Sequence, residues 1–129
     1  MMASVAVASA FIATGAGEAT AAPRAGCLNA VDRQGVELYF NSNPNSASQG
    51  FTDNQPTFAD DYFMCRGNGN GYTQVVKNNA AYVTNWNSHN RYRIYYNTNY
   101  DGPSQTFTWA TSGPLNDELK NNNASGKYV

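Results

Sequence analysis

Few side chains in this 129-residue chain are able to do chemistry. Its one histidine, His89, excludes an HExxH zinc motif, and the chain contains no GxSxG nucleophile elbow. Adjacent carboxyl groups, of the kind that a glycosidase uses in pairs, occur at Asp60/Asp61 and Asp117/Glu118. Neighbouring side chains on a strand point to opposite faces, so these pairs indicate turn or helix-start residues. We therefore predict that the protein is not an enzyme and uses no cofactor.

The glycine-rich run RGNGNG, residues 66–71, has the composition of a phosphate-binding loop. It lacks the Lys and Ser/Thr that end such a loop, and no helical pattern follows it. The run therefore predicts a flexible hairpin tip rather than a phosphate site.

The two cysteines, Cys27 and Cys65, form the other chemical pair. In an exported protein an even pair indicates a disulfide, which would stabilise a fold of this size by about 3–4 kcal/mol in the chain-entropy model. The alternative is a free catalytic thiol with His89 as its base. We predict the disulfide.

Export itself is predicted from residues 1–21, which are small or apolar apart from Glu18. The apolar run 3–16 is too short to span a bilayer, and Ala-Thr-Ala at residues 19–21 provides a signal-peptidase site. No Lys or Arg precedes the run, which leaves an upstream start codon or a buried Ala-rich helix as alternatives. We expect residues 1–21 to be a signal peptide and residues 22–129 to be a secreted, extracellular chain.

The charge of the mature chain is balanced. The chain has eight basic and nine acidic residues, and one of the acidic residues, Glu18, belongs to the leader. The net charge after removal of the leader is therefore zero with His89 neutral. A chain without a basic field is not suited to nucleic acid. We therefore expect a monomer that contacts neither nucleic acid nor, once the leader is removed, a membrane.

The elements that must position any site are predicted to be strands. Nine tyrosines and six phenylalanines alternate with Asn- and Gly-rich segments, the pattern of short strands joined by tight turns. The only helical signal is GPLNDELKN at residues 113–121, where Leu115 and Leu119 are one turn apart.

One phrase occurs twice along the chain. ELYFNSN at residues 37–43 corresponds to RIYYNTN at residues 93–99 with a shift of 56, and KNNAA at 77–81 corresponds to KNNNAS at 120–125 with a shift of 44. The first half thus carries about twelve extra residues, around residues 58–72. Two matches in the same order indicate an internal duplication. We predict one all-β domain, a two-sheet sandwich of two Greek-key motifs at about 27–84 and 91–129.

The spacing of Tyr95, Tyr100 and Gly102 resembles the signature of the βγ-crystallin Greek key, in which the glycine allows a folded hairpin. The first half departs from this signature, since Pro44 and Ser46 replace the second aromatic residue and the glycine. The resemblance implies a βγ-crystallin-like sandwich whose first hairpin is either looser or folded differently.

Residues 27–129 also resemble the bacterial secreted proteins grouped as family 36 of the peptidase inhibitors. The resemblance rests on the Cys near the mature start, YYNTNYDG, and the paired KNNAA and KNNNAS segments. It implies that the partner is an extracellular proteinase, specifically a metalloproteinase. No inhibitory loop of that family can be matched residue by residue, so we assign the candidate loop from position alone. The candidate residues, which lie in the first-half surplus, are Met64, Cys65, Arg66 and Gly67; the alternative is a hairpin without a partner.

The βγ-crystallin resemblance also implies a calcium segment of two Asn/Asp, two variable residues, then Ser/Thr and Ser. NNAAYV at residues 78–83 and NNNASG at residues 121–126 keep the asparagines but lose hydroxyl ligands. At most a weak calcium site is predicted, and the alternative is that these asparagines cap turns. The candidate ligands are Asn78, Asn79, Asn122 and Ser125.

Two other functions stay open beside inhibition. Exposed aromatic residues would favour a carbohydrate-binding, cell-wall-binding or toxin-like module, with Trp86, Tyr100 and Trp109 as candidates, although such residues are more often core. A calcium-stabilised structural domain is the other alternative.

Overall fold

The computed structural model describes residues 34–67 and 69–129. The predicted signal peptide and Cys27 lie outside the described residues. The described part contains seven strands and no helix, and so no helix able to cross a membrane. The strands are β1 (Val36–Tyr39), β2 (Ser48–Phe51), β3 (Tyr82–Asn85), β4 (Tyr92–Asn97), β5 (Asp101–Phe107), β6 (Thr111–Pro114) and β7 (Ser125–Tyr128).

The strands form two antiparallel sheets, in the orders β2-β1-β3-β6 and β5-β4-β7. Side-chain alternation explains the burial of the central strands. In β1, Val36 and Leu38 belong to the core, whereas Glu37 and Tyr39 point to the other face of the sheet. The predicted all-β sandwich is therefore confirmed.

The core consists of apolar residues from both sheets and their connections. Burying a side chain of this kind stabilises the fold by about 1.5–3 kcal/mol. Its largest fully buried apolar members are Tyr92, Phe51, Phe58, Phe63, Leu38, Ile94, Leu119, Val36, Val76 and Val83.

The duplication is visible in strand register. Val36 pairs with Phe51 and Tyr92 pairs with Phe107, so the first two strands of each half match with the shift of 56. The third segment of each half crosses to the other sheet. β6 pairs with β3, while Gln55 forms a bridge with Gly126 of β7. This reciprocal exchange joins the two halves into one sandwich.

The second part of the repeat differs from the predicted alignment by one residue. The N–H of Ala81 donates to the Tyr39 carbonyl, and the N–H of Ala124 donates to the Tyr95 carbonyl. These equivalent bonds give a shift of 43 instead of 44, so the first half is thirteen residues longer rather than twelve. Because both segments are Asn-rich, sequence alone does not select the register. Residues 59–76, which contain the surplus, are called the insertion below.

The predicted helical turn near the C-terminus is a single turn. The N–H of Lys120 donates to the Asn116 carbonyl at 2.8 Å, and the Asn116 side chain accepts from the N–H of Leu119 at 3.0 Å. Leu115 and Leu119 are buried. The turn therefore closes the sandwich without forming a helix.

The glycine-rich run packs closely against the β1–β2 hairpin. The Asn70 carbonyl accepts from the N–H of Ala47 at 2.9 Å. Gly71 has φ +88, and a Cβ there would lie 2.1 Å from the Phe40 ring. The described residues of this run therefore do not form the loose tip that the sequence predicted.

Candidate functional site

The insertion folds as a hairpin anchored in the core. Tyr62 forms a bridge with Val75, and the fully buried Phe63 exchanges backbone hydrogen bonds with Gln74 and Thr73, each 2.9 Å long. This anchor fixes the position of the residues that follow it.

The next two residues form a short extension of the four-stranded sheet. Cys65 and Ser48 exchange backbone hydrogen bonds of 2.9 and 3.1 Å, and the N–H of Met64 donates to the Gln49 side chain at 3.2 Å. The Met64 side chain is 51% exposed, whereas Cys65 is buried. Thus a fixed backbone presents an exposed apolar side chain at the sheet edge.

No cysteine in the described part of the chain is a free thiol. Because Cys27 lies outside that part, its predicted pairing with Cys65 stays a prediction.

The chain turns at Arg66, which has φ 63 and accepts a hydrogen bond on its carbonyl from the N–H of Gly69 at 2.7 Å. Arg66 and Gly67 are exposed. Three of the four residues of the predicted inhibitory loop, Met64, Arg66 and Gly67, are therefore exposed, whereas Cys65 between them is buried and ends the extended part. The loop assignment itself stays a prediction.

Arg66 also borders a groove of about 540 Å³ on the outer face of the four-stranded sheet, called the sheet groove. Cross-strand register places Tyr39 beside Tyr82, and Thr84 beside Ser112, on this face. The β1–β2 hairpin and the insertion form one wall, and the β5–β6 turn forms the other. The groove is lined by Tyr39, Pro44, Asn45, Arg66, Tyr82, Thr84, Asn85, Trp86, Ala110, Thr111 and Ser112.

The buried Glu37 carboxyl group holds the side chains of this face in place through hydrogen bonds. Only 4% of the surface of Glu37 is exposed, and its carboxyl group accepts hydrogen bonds from Tyr39 Oη at 2.9 Å, Trp86 Nε1 at 3.0 Å and Ser48 Oγ. A buried carboxyl group with three donors holds both aromatic rings in place. Alternation in Val-Glu-Leu-Tyr predicts that Glu37 shares a face with Tyr39, but the contribution of Trp86 comes from a distant segment and was missed.

The environment of Tyr39 is closed to water. Burial, the main cause, raises the pKa of its phenol to about 12, and the Glu37 carboxyl group adds to the rise, whereas a hydrogen bond with the Thr84 side chain and the positive charge of Arg66 oppose it. The phenol therefore stays protonated at neutral pH and keeps donating to Glu37.

The residues of the predicted fold signature come together in the second half. The rings of Tyr95 and Tyr100 lie 6.0 Å apart, and Gly102 has φ +85. Ser125 Oγ accepts from the N–H of Tyr100 at 3.0 Å and donates to the Asn97 carbonyl at 2.6 Å. These contacts hold the folded hairpin.

The first hairpin is folded differently, as the sequence predicted. Pro44, at the position of Tyr100, has no N–H to donate. Ser46 Oγ instead accepts from the N–H of Asn41 at 3.0 Å and donates to the Asn43 carbonyl at 2.9 Å. Tyr82 occupies the position of Ser125 and forms an edge contact with Tyr39, with 5.6 Å between ring centroids.

The calcium candidates lie in two equivalent pockets, called the asparagine pockets. Their members match one another with the shifts of 56 and 43. The first is lined by Lys77, Asn78, Tyr96, Asn97, Thr98, Asn122 and Ala124, and the second by Phe40, Asn41, Ser42, Asn79, Ala81, Lys120 and Asn121. Asn78 and Asn122 thus share one pocket, Asn79 lies in the other, and Ser125 lines neither.

These pockets do not fit a tight calcium site. Calcium prefers several oxygen ligands that include carboxylates. Of the described residues, a lysine and no Asp or Glu line each asparagine pocket. The Ser125 hydroxyl is engaged in the hairpin, and no group of three or more His, Cys, Asp or Glu residues occurs in the described part of the chain.

No protein-family profile and no curated protein matches the chain. Solved structures do match, each over about three quarters of it. A βγ-crystallin domain from a study of the evolution of the eye-lens fold has a TM-score of 0.60 at 14% identity, covering 74% of this chain and 85% of that one.

An archaeal βγ-crystallin has a TM-score of 0.53 at 15% identity, covering 74% of this chain and 96% of that one. A double mutant of clostrillin, with two serines changed to histidine and in complex with nickel, has a TM-score of 0.54 at 16% identity, with coverage of 74% and 97%. The fold is βγ-crystallin-like. At these identities the likeness establishes the fold alone.

The three aromatic candidates for carbohydrate binding are separated. Trp86 lines the sheet groove, Trp109 is 51% exposed beside it, and Tyr100 packs on Tyr95 in the second half. Of the three, the structure therefore places Trp86 in the groove and Tyr100 in the hairpin.

Proposed function

We propose that this protein is a secreted, monomeric binding protein that inhibits an extracellular proteinase through residues 64–67. The observation that supports this proposal is Met64, an exposed apolar side chain on a backbone held by hydrogen bonds to Gln49 and, at Cys65, to Ser48. A segment that is already ordered loses little conformational entropy when it docks. The predicted Cys27–Cys65 disulfide would anchor the same segment.

The metalloproteinase class comes from the resemblance to the family 36 inhibitors. An inhibitor of this kind needs no catalytic group of its own, because it acts by occupying the cleft of the enzyme. The extended part, Met64 and Cys65, would lie in the cleft, and the turn at Arg66 would lead the chain out of it.

The test is an inhibition assay of residues 22–129, oxidised and reduced, against a panel of metallo- and serine proteinases. We expect the oxidised form to inhibit a metalloproteinase and Met64→Asp to raise the inhibition constant tenfold or more, a change of about 1.4 kcal/mol. Trp109→Ala is the matched control because Trp109 is equally exposed, at 51%. Inhibition of no enzyme at micromolar protein, or equal inhibition by the Met64 variant, would contradict the proposal.

The calcium-stabilised alternative has a separate test. A ligand at a hundred times its Kd adds about 2.7 kcal/mol to the free energy of unfolding. Because a lysine lines each asparagine pocket, we expect the Tm in excess calcium to equal the Tm in a chelator. A clear rise in Tm with calcium would restore this alternative.

A further inference from the structure

We propose that the sheet groove is a binding site for an acidic saccharide, with the sugar ring packed on Tyr82 and Trp86 and its carboxylate paired with Arg66. All three residues line the groove. The proposal concerns a different surface of the first half from the Met64 segment, although Arg66 borders both.

The hydrogen-bonding atoms of the groove aromatics are largely engaged within the protein. Tyr39 Oη and Trp86 Nε1 both donate to Glu37. Tyr82 Oη lies 3.5 Å from Ser112 Oγ, at the limit of a hydrogen bond. Of these rings, Tyr39 is buried, and Tyr82 and Trp86 present mainly hydrocarbon and π surface to the groove, which suits the C–H face of a pyranose ring.

The charge of the groove favours an anion. Among the described residues, Arg66 is the one charged residue that lines it. The Glu37 carboxyl group lies beneath, buried and occupied by three donors from the protein. A guanidinium group binds a carboxylate in a bidentate manner, so an acidic sugar gains an interaction that a neutral sugar lacks.

The second half shows that the backbone does not dictate the identity of the groove residues. The positions equivalent to Glu37, Thr84 and Tyr82 are Arg93, Lys127 and Ser125, as their shared register shows. There Arg93 Nε donates to Thr106 Oγ1 at 2.9 Å, and none of the described residues places a buried carboxyl group on that face. The same backbone thus folds with a different outer face, so the aromatic groove is a feature of the first half and not of the repeat.

Binding can be followed by fluorescence, because the chain has only two tryptophans. In the full chain, Trp109→Phe leaves Trp86 as the only reporter. The probes are trigalacturonate and the neutral galactose trimer. We expect a saturable change in Trp86 emission with trigalacturonate, and an affinity at least tenfold lower for the neutral trimer.

Two variants and one control variant in that background locate the site. Arg66→Ala should weaken trigalacturonate binding tenfold and leave the neutral trimer unchanged, whereas Arg91→Ala, an exposed arginine outside the groove, should change neither. Ser112→Tyr should block both probes, since Ser112 is an exposed groove residue opposite Thr84 on the edge strand. Its melting curve will show that the variant is folded.

Three results would overturn the proposal: no saturable change at millimolar trigalacturonate, equal affinity for the two trimers, or normal binding by Ser112→Tyr. Ser112 lies outside the insertion, so this variant should keep any proteinase inhibition. The two proposals can therefore fail independently.

Discussion

Replacing Glu37 should damage the fold more than any other single polar substitution on the outer face of the four-stranded sheet. Glu37→Ala leaves the hydroxyls of Tyr39 and Ser48 and the indole N–H of Trp86 without their acceptor. Each buried donor left unsatisfied costs about 1–3 kcal/mol, and partial re-pairing lowers the sum. We expect the free energy of unfolding to fall by about 3–5 kcal/mol, a large part of the stability of a small domain.

Glu37→Gln should be much milder, with a loss of about 1 kcal/mol. The amide oxygen can still accept from Tyr39 and Trp86, and the Ser48 hydroxyl can rotate to accept from the new amide N–H. An acceptor role therefore predicts a much larger loss for Ala than for Gln. Because the loss of side-chain volume alone would also make Ala the costlier change, the coupling to Ser48 described next is what identifies the hydrogen-bonding role.

Urea unfolding measures the free energy of unfolding of both variants, and the two values can be compared if the m-value is unchanged. A double-mutant cycle with Ser48→Ala should give a coupling of about 1 kcal/mol or more, because the two side chains are bonded directly. The matched control is Arg93→Ala, the equivalent position in the second half, whose side chain donates to Thr106 Oγ1. A Glu37→Ala loss below about 1 kcal/mol, or no coupling to Ser48, would refute the reasoning.

The remaining predictions concern four other positions. Asn123 is fully buried and its amide donates to the carbonyls of two neighbouring segments, so Asn123→Ala should lower stability by about 2–3 kcal/mol in urea unfolding, and Asn123→Asp by more because it would face those carbonyls with an acceptor. Burial, followed by the charge of Asp60, raises the pKa of Asp61 to about 6. The folded state therefore binds the proton more tightly than the unfolded state, and this carboxyl group costs stability as pH rises from about 4 to 6. Asp61→Asn should be more stable than the parent by about 1 kcal/mol at pH 7, after allowance for solvent screening, and equal to it below pH 4 in melts across pH. Gly71→Ala should cost about 2–3 kcal/mol in urea unfolding because the new Cβ meets the ring of Phe40, which is packed against the core, whereas Gly102→Ala, with similar φ but facing the end of a flexible Asn side chain, should cost about 1 kcal/mol.

The sequence predicts the fold well because the fold depends on local alternation and on the repeat. Val-Glu-Leu-Tyr and Tyr-Arg-Ile-Tyr place apolar residues on one face. The shift of 56 is carried by aromatic residues that recur at matching positions, Tyr39 and Tyr95 in one pair of strands and Phe51 and Phe107 in the other. The predicted shift of 44 differs by one residue from the shift of 43 in the structure. The two Lys-Asn-Asn segments can be aligned almost equally well in either register because both are rich in asparagine. The backbone hydrogen bonds of Ala81 and Ala124 determine the register, and these bonds can be seen in the structure but not in the sequence.

The sheet groove was harder to predict because its parts are distant along the chain. Trp86 and Glu37 are 49 residues apart, and Arg66 belongs to the insertion, for which the second half offers no template. Alternation predicts which face each strand residue occupies but not which loop covers that face. The candidate loop residues were named from their position in the first-half surplus, whereas the turn at Arg66 required the backbone angle.

One linked change explains how the first half came to differ from the second. In the second half, the N–H of Tyr100 needs an acceptor, and Ser125 provides it. In the first half the matching position is Pro44, which has no N–H, so the position opposite it has no donor to satisfy and can hold a large ring. Tyr82 stands there, packs on Tyr39 and lines the groove. The loss of the folded hairpin in one half and the gain of an aromatic groove beside it are therefore consequences of the same exchange, and this places the search for ligands in the first half.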